Sequence, residues 1–331
     1  MIEHESGAST PNPMPVDLLA RLDTGRPVRM DGAMNTELAR EGFTFTTAEW
    51  LRVNVDAPEV VAGIHARYAT AGAELHIANS FSAARHVLEA AGIGDRFESI
   101  NRASVELCRE AIDVVAPHRQ WIAGSVSTYA AGHDRRNLPG LHELEHNCAD
   151  QACVLADAGA DLIALEMLVD ADTCVAMMRG AAEAGLPVSL GLVCFRDESG
   201  RVMLFGCGRD SLYAGEDVPL DEVLPSIVER IPVGLRVIIA VMHSSPEDTG
   251  PAIAVVRSCW DGDIAVYPNT GAYDSGGWDW TDAQTPEAFA DSCEQWAAQG
   301  VRIVGGCCGY GPEHIRAMSV RLAGLQSDAP W

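Results

Sequence analysis

Residues 301–309 read Val-Arg-Ile-Val-Gly-Gly-Cys-Cys-Gly, and the rest of the chain can be interpreted outward from this stretch. Its β-branched residues predict a short buried strand, and its glycines permit the backbone to leave strand geometry. Neighbouring side chains of a regular strand point to opposite faces, so Cys307 and Cys308 can reach one target only outside the strand. Two thiolates that converge at a strand end are suitable ligands for Zn²⁺. The alternative is two small buried cysteines in a tight turn.

Short apolar runs of this kind recur along the chain and alternate with segments of helical periodicity. The predicted strands are residues 28–30, 74–78, 121–123, 162–165, 188–193, 235–240, 264–267 and 302–304. The predicted helices are residues 59–71, 96–116, 141–158, 172–184, 220–229, 246–258, 286–299 and 312–325. Eight strand–helix units in one series, without a Pro- or Ser-rich linker, predict a single-domain α/β fold of the (β/α)₈ TIM barrel type.

The barrel domain is expected to span residues 17–331, because residues 1–16 are polar and Pro-containing and are typical of a flexible N-terminal tail. The tail has no apolar core of a signal peptide, and no run of about 18 apolar residues occurs, so no membrane partner is expected. Residues 195–220 form the longest predicted loop after a strand and are a candidate lid.

Composition limits the class of function. The 331 residues are 47% hydrophobic and 21% charged, as in a soluble globular protein, and their formal net charge of −24 argues against a nucleic-acid partner. Ten irregularly spaced cysteines are unlike a secreted disulfide scaffold and favour a reduced, cytoplasmic setting. The sequence leaves open whether the protein forms a homo-oligomer.

Polar residues follow the predicted strands where a barrel active site would form. The carboxyl ends of all barrel strands meet at one rim. The residues expected at this rim, in strand order, are Asp31, Asn79, Gly124 with Ser125, Glu166, His243, Asn269, and Cys307 with Cys308. A catalytic zinc site uses three protein ligands and an open position, and His243 is the best candidate to join the cysteine pair. Its alternative role is to cap the next helix or to hydrogen-bond within the loop.

The chain from about residue 17 to residue 325 resembles the homocysteine S-methyltransferase family of zinc-dependent (β/α)₈ barrels. The resemblance is carried by residues 31–38 (Asp-Gly-Ala-Met-Asn-Thr-Glu-Leu), 79–81 (Asn-Ser-Phe), 124–126 (Gly-Ser-Val), 165–167 (Leu-Glu-Met), 267–271 (Tyr-Pro-Asn-Thr-Gly), 305–309 and 312–315 (Pro-Glu-His-Ile). It implies an S-methyltransferase that uses Zn²⁺ to methylate homocysteine to methionine.

The sequence departs from the family pattern at the metal site. After the sixth strand the family has Gly-x-Asn-Cys, whose cysteine is a zinc ligand, whereas residues 240–243 read Ala-Val-Met-His. Either His243 replaces the thiolate in a Cys₂His site, or zinc is lost. With histidine, the metal cluster would be one unit less negative, and we expect such a site to favour a reactive, positively charged methyl donor.

Homocysteine has a thiol, an ammonium group and a carboxylate, and each needs its own partner. Glu166 and, through the resemblance, Asp31 are the expected catalytic carboxylates and would bind the ammonium group. Their alternative roles are a salt bridge at the rim for Glu166 and a turn cap for Asp31. Backbone N–H groups of Gly124 and Ser125 would bind the substrate carboxylate or else form a tight turn. The predicted substrate-binding residues are Asp31, Asn79, Gly124, Ser125, Glu166 and Asn269.

The methyl donor is expected to be a small onium compound of the S-methylmethionine, S-adenosylmethionine or betaine type. A barrel of this size uses the whole chain of 331 residues, so the cobalamin and folate modules of large methionine synthases are not expected. Two alternatives stay open: methyl or alkyl transfer that involves a different thiol, and a zinc-free barrel with a binding or regulatory role.

Overall fold

A computed structural model describes residues 17–43, 47–116, 118, 120–129, 137–205, 217–274, 277–279 and 283–324. The expected tail, residues 1–16, and residues 206–216 of the candidate lid lie outside these ranges. The strands in chain order are β1 (Val28–Arg29), β2 (Leu75–Ile77), β3 (Trp121–Ser127), β4 (Leu162–Leu168), β5 (Val188–Arg196), β6 (Val202–Leu204), β7 (Val218–Pro219), β8 (Val237–Met242), β9 (Ile264–Tyr267), β10 (Ala272–Asp274), β11 (Gly277–Asp279) and β12 (Ile303–Val304).

Eight of these strands form a parallel barrel, which confirms the predicted (β/α)₈ fold. Their order around the barrel is β1-β12-β9-β8-β5-β4-β3-β2. The barrel closes between β1 and β2 through a single bridge, in which Met30 pairs with Leu75. Strands β6 and β7 extend β5 as antiparallel neighbours, and β10 pairs with β11 as a separate hairpin.

Helices surround the barrel. In chain order they are α1 (Leu18–Leu22), α2 (Met34–Arg40), α3 (Thr47–Asp56), α4 (Pro58–Ala71), α5 (Arg85–Ala90), α6 (Phe97–Val115), α7 (Leu141–Asp157), α8 (Ala171–Ala182), α9 (Leu220–Val228), α10 (Pro246–Cys259), α11 (Pro286–Ala298) and α12 (Pro312–Gly324). All eight predicted helices are present, whereas the prediction missed α1, α2, α3 and α5. Of these, α1, α2 and α5 are too short to give a periodicity signal. None of the described helices is long and apolar enough to span a bilayer.

Side chains along the barrel strands alternate between the barrel interior and the layer under the helices. Along β8, Ile238 and Ala240 belong to the interior apolar cluster, whereas Ile239 and Val241 belong to the cluster beneath the helices. This is the period of two that a strand imposes. Met242, the last residue of β8, therefore faces the interior.

Strand β4 interrupts this alternation just before it ends. The pairing register between β4 and β5 shifts between Leu165 and Leu168, and Met167 has a left-handed φ of 61°. Met167 belongs to the interior cluster and Leu168 to the outer one. A bulge of this kind re-aims the side chains next to it. Glu166 and Met167 consequently both lie on the interior side of the strand end.

Candidate metal and substrate site

Cys307 and Cys308 lie on the turn that follows β12. A Cβ atom on Gly306 would lie 2.5 Å from Cβ of Tyr310, so only glycine fits where the backbone passes this side chain. The N–H of Cys307 donates to the carbonyl of Pro268 at 2.7 Å, which ties the turn to the end of β9. The two neighbouring thiols therefore turn toward one point at the rim, as the glycine pattern predicts.

His243 follows β8 directly in a left-handed conformation, with φ of 48°. This conformation is uncommon for a residue with a side chain and persists only where its surroundings hold it. The N–H of His243 donates to the carbonyl of Tyr267 at 3.1 Å. The hydroxyl of Ser244 donates to the carbonyl of Met242 and accepts the N–H of Cys194, each at 2.9 Å. The hydrogen bonds of His243 N–H and of the Ser244 hydroxyl thus hold the backbone from which the imidazole projects.

The side chains of His243, Cys307 and Cys308 converge, as the position of their strands in the barrel predicts. His243 Nδ1 lies 3.6 Å from Cys307 Sγ and 3.9 Å from Cys308 Sγ, and the two sulfurs are 3.9 Å apart. Zinc bonds of about 2.3 Å to sulfur and about 2.0–2.1 Å to nitrogen place tetrahedral ligand atoms roughly 3.5–3.8 Å apart. The three donor atoms therefore fit three corners of a tetrahedral metal site and leave the fourth corner for another ligand.

The electrostatics of the cysteine pair also favour a cation. The pKa of Cys307 lies well above its usual value because its thiol donates a hydrogen bond to the Cys308 sulfur and because it is buried. The imidazole of His243 opposes this rise. A positive charge between the two sulfurs would offset both causes and stabilise the thiolates, which are the metal-binding form.

Glu166 is a buried carboxyl group near His243 of the candidate metal-binding group. Its side chain accepts a hydrogen bond from the Ser125 hydroxyl, and the residue is only 6% exposed. Burial raises the pKa of Glu166 to about 7, and the hydroxyls of Ser125 and Tyr267 and the imidazole of His243 oppose this rise. A buried carboxylate near its midpoint of ionisation at neutral pH is suited to receive a cationic group.

Asp31 lies at the junction of β1 and β2, next to two buried histidines. Its Oδ2 accepts the N–H of Ile77 at 3.1 Å and lies 3.7 Å from Nδ1 of His76. Donor atoms of Asp31, His65 and His76 all lie within 4.8 Å of one another. Burial raises the pKa of Asp31 well above its usual value, and the negative charge of Glu166 adds to the rise. The two carboxylates are therefore close enough to influence each other.

The protein is expected to lose stability in mild acid because His65 and His76 are buried as neutral imidazoles. Burial lowers the pKa of His65 from 6.5 to about 3 and that of His76 to about 4. The unfolded chain binds these protons more readily, so their contribution is complete above pH 6.5 and is lost as the pH falls toward these values. A tenfold change in proton affinity is worth about 1.4 kcal/mol, which makes the combined loss several kcal/mol.

Urea unfolding at a series of pH values between 4 and 8 measures this effect. His76→Leu removes one titrating group and should make the pH dependence of the free energy of unfolding shallower. His142→Gln, an exposed position on α7, is the matched control and should leave the dependence unchanged. Equal slopes for all three chains would show that the buried histidines do not control acid stability.

Asn79 and Asn269 occupy different environments. The side-chain amide of Asn79 donates to Oδ1 of Asn54 at 2.8 Å, and the amide of Asn54 donates to the carbonyl of Asn79 at the same distance. This pair joins α3 to the segment after β2. Asn269 is partly exposed after β9, and its N–H donates to the carbonyl of Ser244 at 3.0 Å.

Gly124 and Ser125 lie within β3, so the predicted strand end at residue 123 and the alternative of a tight turn are both wrong. The strand continues to Ser127 and pairs with β4 along this stretch. Ser125 faces the interior and reaches Glu166. A Cβ on Gly124 would instead lie 2.9 Å from the Leu155 side chain of α7, so this glycine permits close helix packing. Substrate binding by the two residues stays a prediction.

Sequence reasoning missed the role of Tyr267 in this site. It is the last residue of β9, is 3% exposed, and belongs to the interior cluster with Ala265. Its hydroxyl is one of the groups that oppose the rise of the Glu166 pKa. The alternation along β9 could have revealed it, because two residues that are two apart on a strand share a face.

Comparison with known proteins identifies the family of this chain. The fold and the donor set define a (β/α)₈ barrel with a candidate metal-binding group of one histidine and two cysteines at its carboxyl rim. The family model described as homocysteine S-methyltransferase matches residues 28–322, and the chain belongs to this family. The predicted family and class of enzyme are thereby confirmed.

Individual relatives are similar over nearly their whole length. The homocysteine S-methyltransferase of Escherichia coli K12 is 28% identical over 332 residues, which cover 92% of this chain and 98% of the relative. The selenocysteine Se-methyltransferase of Brassica oleracea is 26% identical and is covered to 91%. The crystal structure of the E. coli homocysteine methyltransferase MmuM in its metallated form has a TM-score of 0.72 at 25% identity, covering 92% of this chain and 99% of that one.

Proposed function

We propose that the protein is a zinc-dependent methyltransferase that transfers a methyl group from a small onium donor to the thiol of homocysteine and forms methionine. The observation that carries the proposal is the convergence of His243, Cys307 and Cys308 at distances suited to tetrahedral coordination. Family membership and the metallated state of a structural relative support it.

The other predicted site residues bind the groups of homocysteine other than its thiol. The ammonium group of homocysteine binds Glu166, which Ser125 orients, and Asp31 is the second carboxylate near this position. Asn79, Gly124 and Asn269 complete the proposed substrate-binding group. The Cys₂His group would hold Zn²⁺, which when bound acts as a Lewis acid that favours the thiolate form of the substrate. The donor is a small onium compound, whose positive charge the transfer neutralises.

The preference of the enzyme for an onium compound as methyl donor is expected to depend on His243. A neutral imidazole in place of a third thiolate makes the metal-binding group less negative, so the bound substrate sulfur is less nucleophilic. His243→Cys should therefore raise the single-turnover rate of methyl transfer from a poorly reactive donor more than the rate from a reactive sulfonium. Rates that change by the same factor for all donors would contradict this explanation.

The proposed function is tested on protein purified without chelators. We expect about one equivalent of zinc per chain, and methionine formation from homocysteine with at least one of S-methylmethionine, S-adenosylmethionine or betaine. Free cysteine and selenocysteine serve as competing acceptors, since relatives with selenocysteine in their names are equally similar. Turnover of another thiol alone would identify a different acceptor. Absence of both metal and turnover would favour a binding or regulatory role.

A further inference from the structure

Two left-handed residues lie at the site, Met167 near the end of β4 and His243 directly after β8, and one contact joins the two segments. Met167 follows Glu166, and His243 follows Met242; among the residues that the structure describes, no other non-glycine residue has a positive φ. Such conformations persist where neighbouring groups hold them in place. The N–H of Met167 donates to the thioether sulfur of Met242 at 3.0 Å. The hydrogen bond therefore connects the end of β4 to the end of β8.

This connection crosses an intervening strand. β5 lies between β4 and β8 in the barrel, and Gly191 of β5 pairs with Ala240 of β8. A Cβ atom on Gly191 would lie 2.7 Å from the carbonyl oxygen of Leu165 and 3.1 Å from Cγ of Met242. Glycine at this position thus leaves the space through which the Met242 side chain reaches β4. We call the hydrogen-bonded contact of Met242 with Met167 across Gly191 the methionine contact.

Both residues of the methionine contact lie next to groups that the proposed function uses. On β8, Met242 precedes His243, whose Nδ1 lies 3.6 Å from Cys307 Sγ. On β4, Met167 follows Glu166, the proposed receptor for the substrate ammonium group. The methionine contact therefore holds the thiol-binding end of the site at a defined distance from its ammonium-binding end.

We propose that Met242 is a positioning residue that sets this distance and thereby selects homocysteine over shorter amino-acid thiols. Homocysteine has one methylene group more than cysteine between its α-carbon and its sulfur, which adds a bond of about 1.5 Å. A site that holds both ends of the substrate distinguishes the two only if its own ends cannot approach each other. The inference rests on the proposed function and deepens it.

Met242→Leu tests the proposal, because leucine fills a similar volume but has no hydrogen-bond acceptor. We expect the ratio of kcat/KM for homocysteine to that for free cysteine to fall about tenfold, the effect of one ordinary hydrogen bond, mainly through the KM of homocysteine. Zinc content should not change. Met318→Leu, the same substitution at a buried position of α12, is the control and should alter neither value.

Two further measurements separate positioning from simple stability. Gly191→Ala crowds Met242 from the other side, together with the Leu165 carbonyl and the Tyr267 hydroxyl, and should lower the same ratio. Hydrogen exchange of the Met167 amide should become faster in Met242→Leu and stay slow in Met318→Leu. An unchanged substrate ratio in Met242→Leu would overturn the proposal, and unchanged exchange of this amide would show that the hydrogen bond to Met242 does not hold the segment. If the unaltered protein does not use homocysteine, the proposed function and the selectivity proposal both fail, and amide exchange then tests only whether Met242 contacts Met167.

Discussion

Cys307→Ser is expected to reduce methyl transfer by a factor of about a thousand or more and to remove most of the bound metal. Two thiolates and one imidazole form the proposed donor set, and their atoms are 3.6–3.9 Å apart. A serine hydroxyl is a far weaker zinc ligand than a thiolate, and a factor of a thousand corresponds to about 4 kcal/mol of lost transition-state stabilisation. Metal content per chain and single-turnover methyl transfer are the two measurements.

Cys259→Ser is the matched control for this variant. Cys259 is a partly exposed free cysteine at the end of α10, and its sulfur lies 3.4 Å from the Ser258 hydroxyl. Its replacement should leave metal content and rate unchanged. A Cys307→Ser protein that retains a full equivalent of zinc and the original rate would disprove the assigned ligand set.

The second large effect is expected for Glu166→Gln, which should weaken binding of the amino-acid substrate about a hundredfold. The amide is isosteric with the carboxylate and can still accept the hydrogen bond of Ser125, so the fold should persist. What is lost is the buried charge that, in the proposed function, pairs with the substrate ammonium group. Removing one partner of such a pair costs roughly 2–5 kcal/mol.

The affinity of the unaltered protein should also depend on pH through Glu166. Burial raises the pKa of this carboxyl group to about 7, so much of it is protonated at pH 6 and must ionise to bind an ammonium group. Affinity is therefore expected to increase as the pH rises through 7. Methionine, which has the ammonium group but no thiol, allows calorimetry to isolate this effect. Equal methionine affinity at pH 6 and pH 8, or an equal pH dependence in Glu166→Gln, would contradict the assignment.

The barrel could be predicted from the sequence because its long elements are strongly periodic. The long helices α6 and α7 and the buried strands β5 and β8 follow regular patterns of apolar residues. The ends of β3 and β4 could not be predicted in the same way. Ser125 and Glu166 are polar residues inside strands, and polarity was interpreted as the end of each strand, whereas both face the barrel interior.

The site was predictable only as far as strand position determines it. His243, Cys307 and Cys308 meet because their strands end at one rim. The direction of the Asn79 amide depends on Asn54, a partner 25 residues away that no local pattern identifies. The left-handed conformation of Met167 also has no sequence signal, because methionine rarely adopts it.

At the junction between β1 and β2, Asp31 has a structural role in addition to its charge, and mutations must distinguish the two. Backbone pairing there rests on the bridge between Met30 and Leu75, and beyond it the carboxylate of Asp31 accepts the N–H of Ile77 where a neighbouring strand would supply a carbonyl. Asp31→Ala would therefore weaken the contact that closes the barrel between β1 and β2, and it would also remove the carboxylate. Asp31→Asn preserves the acceptor, so a difference between the two variants would measure how much of this residue's importance is architectural.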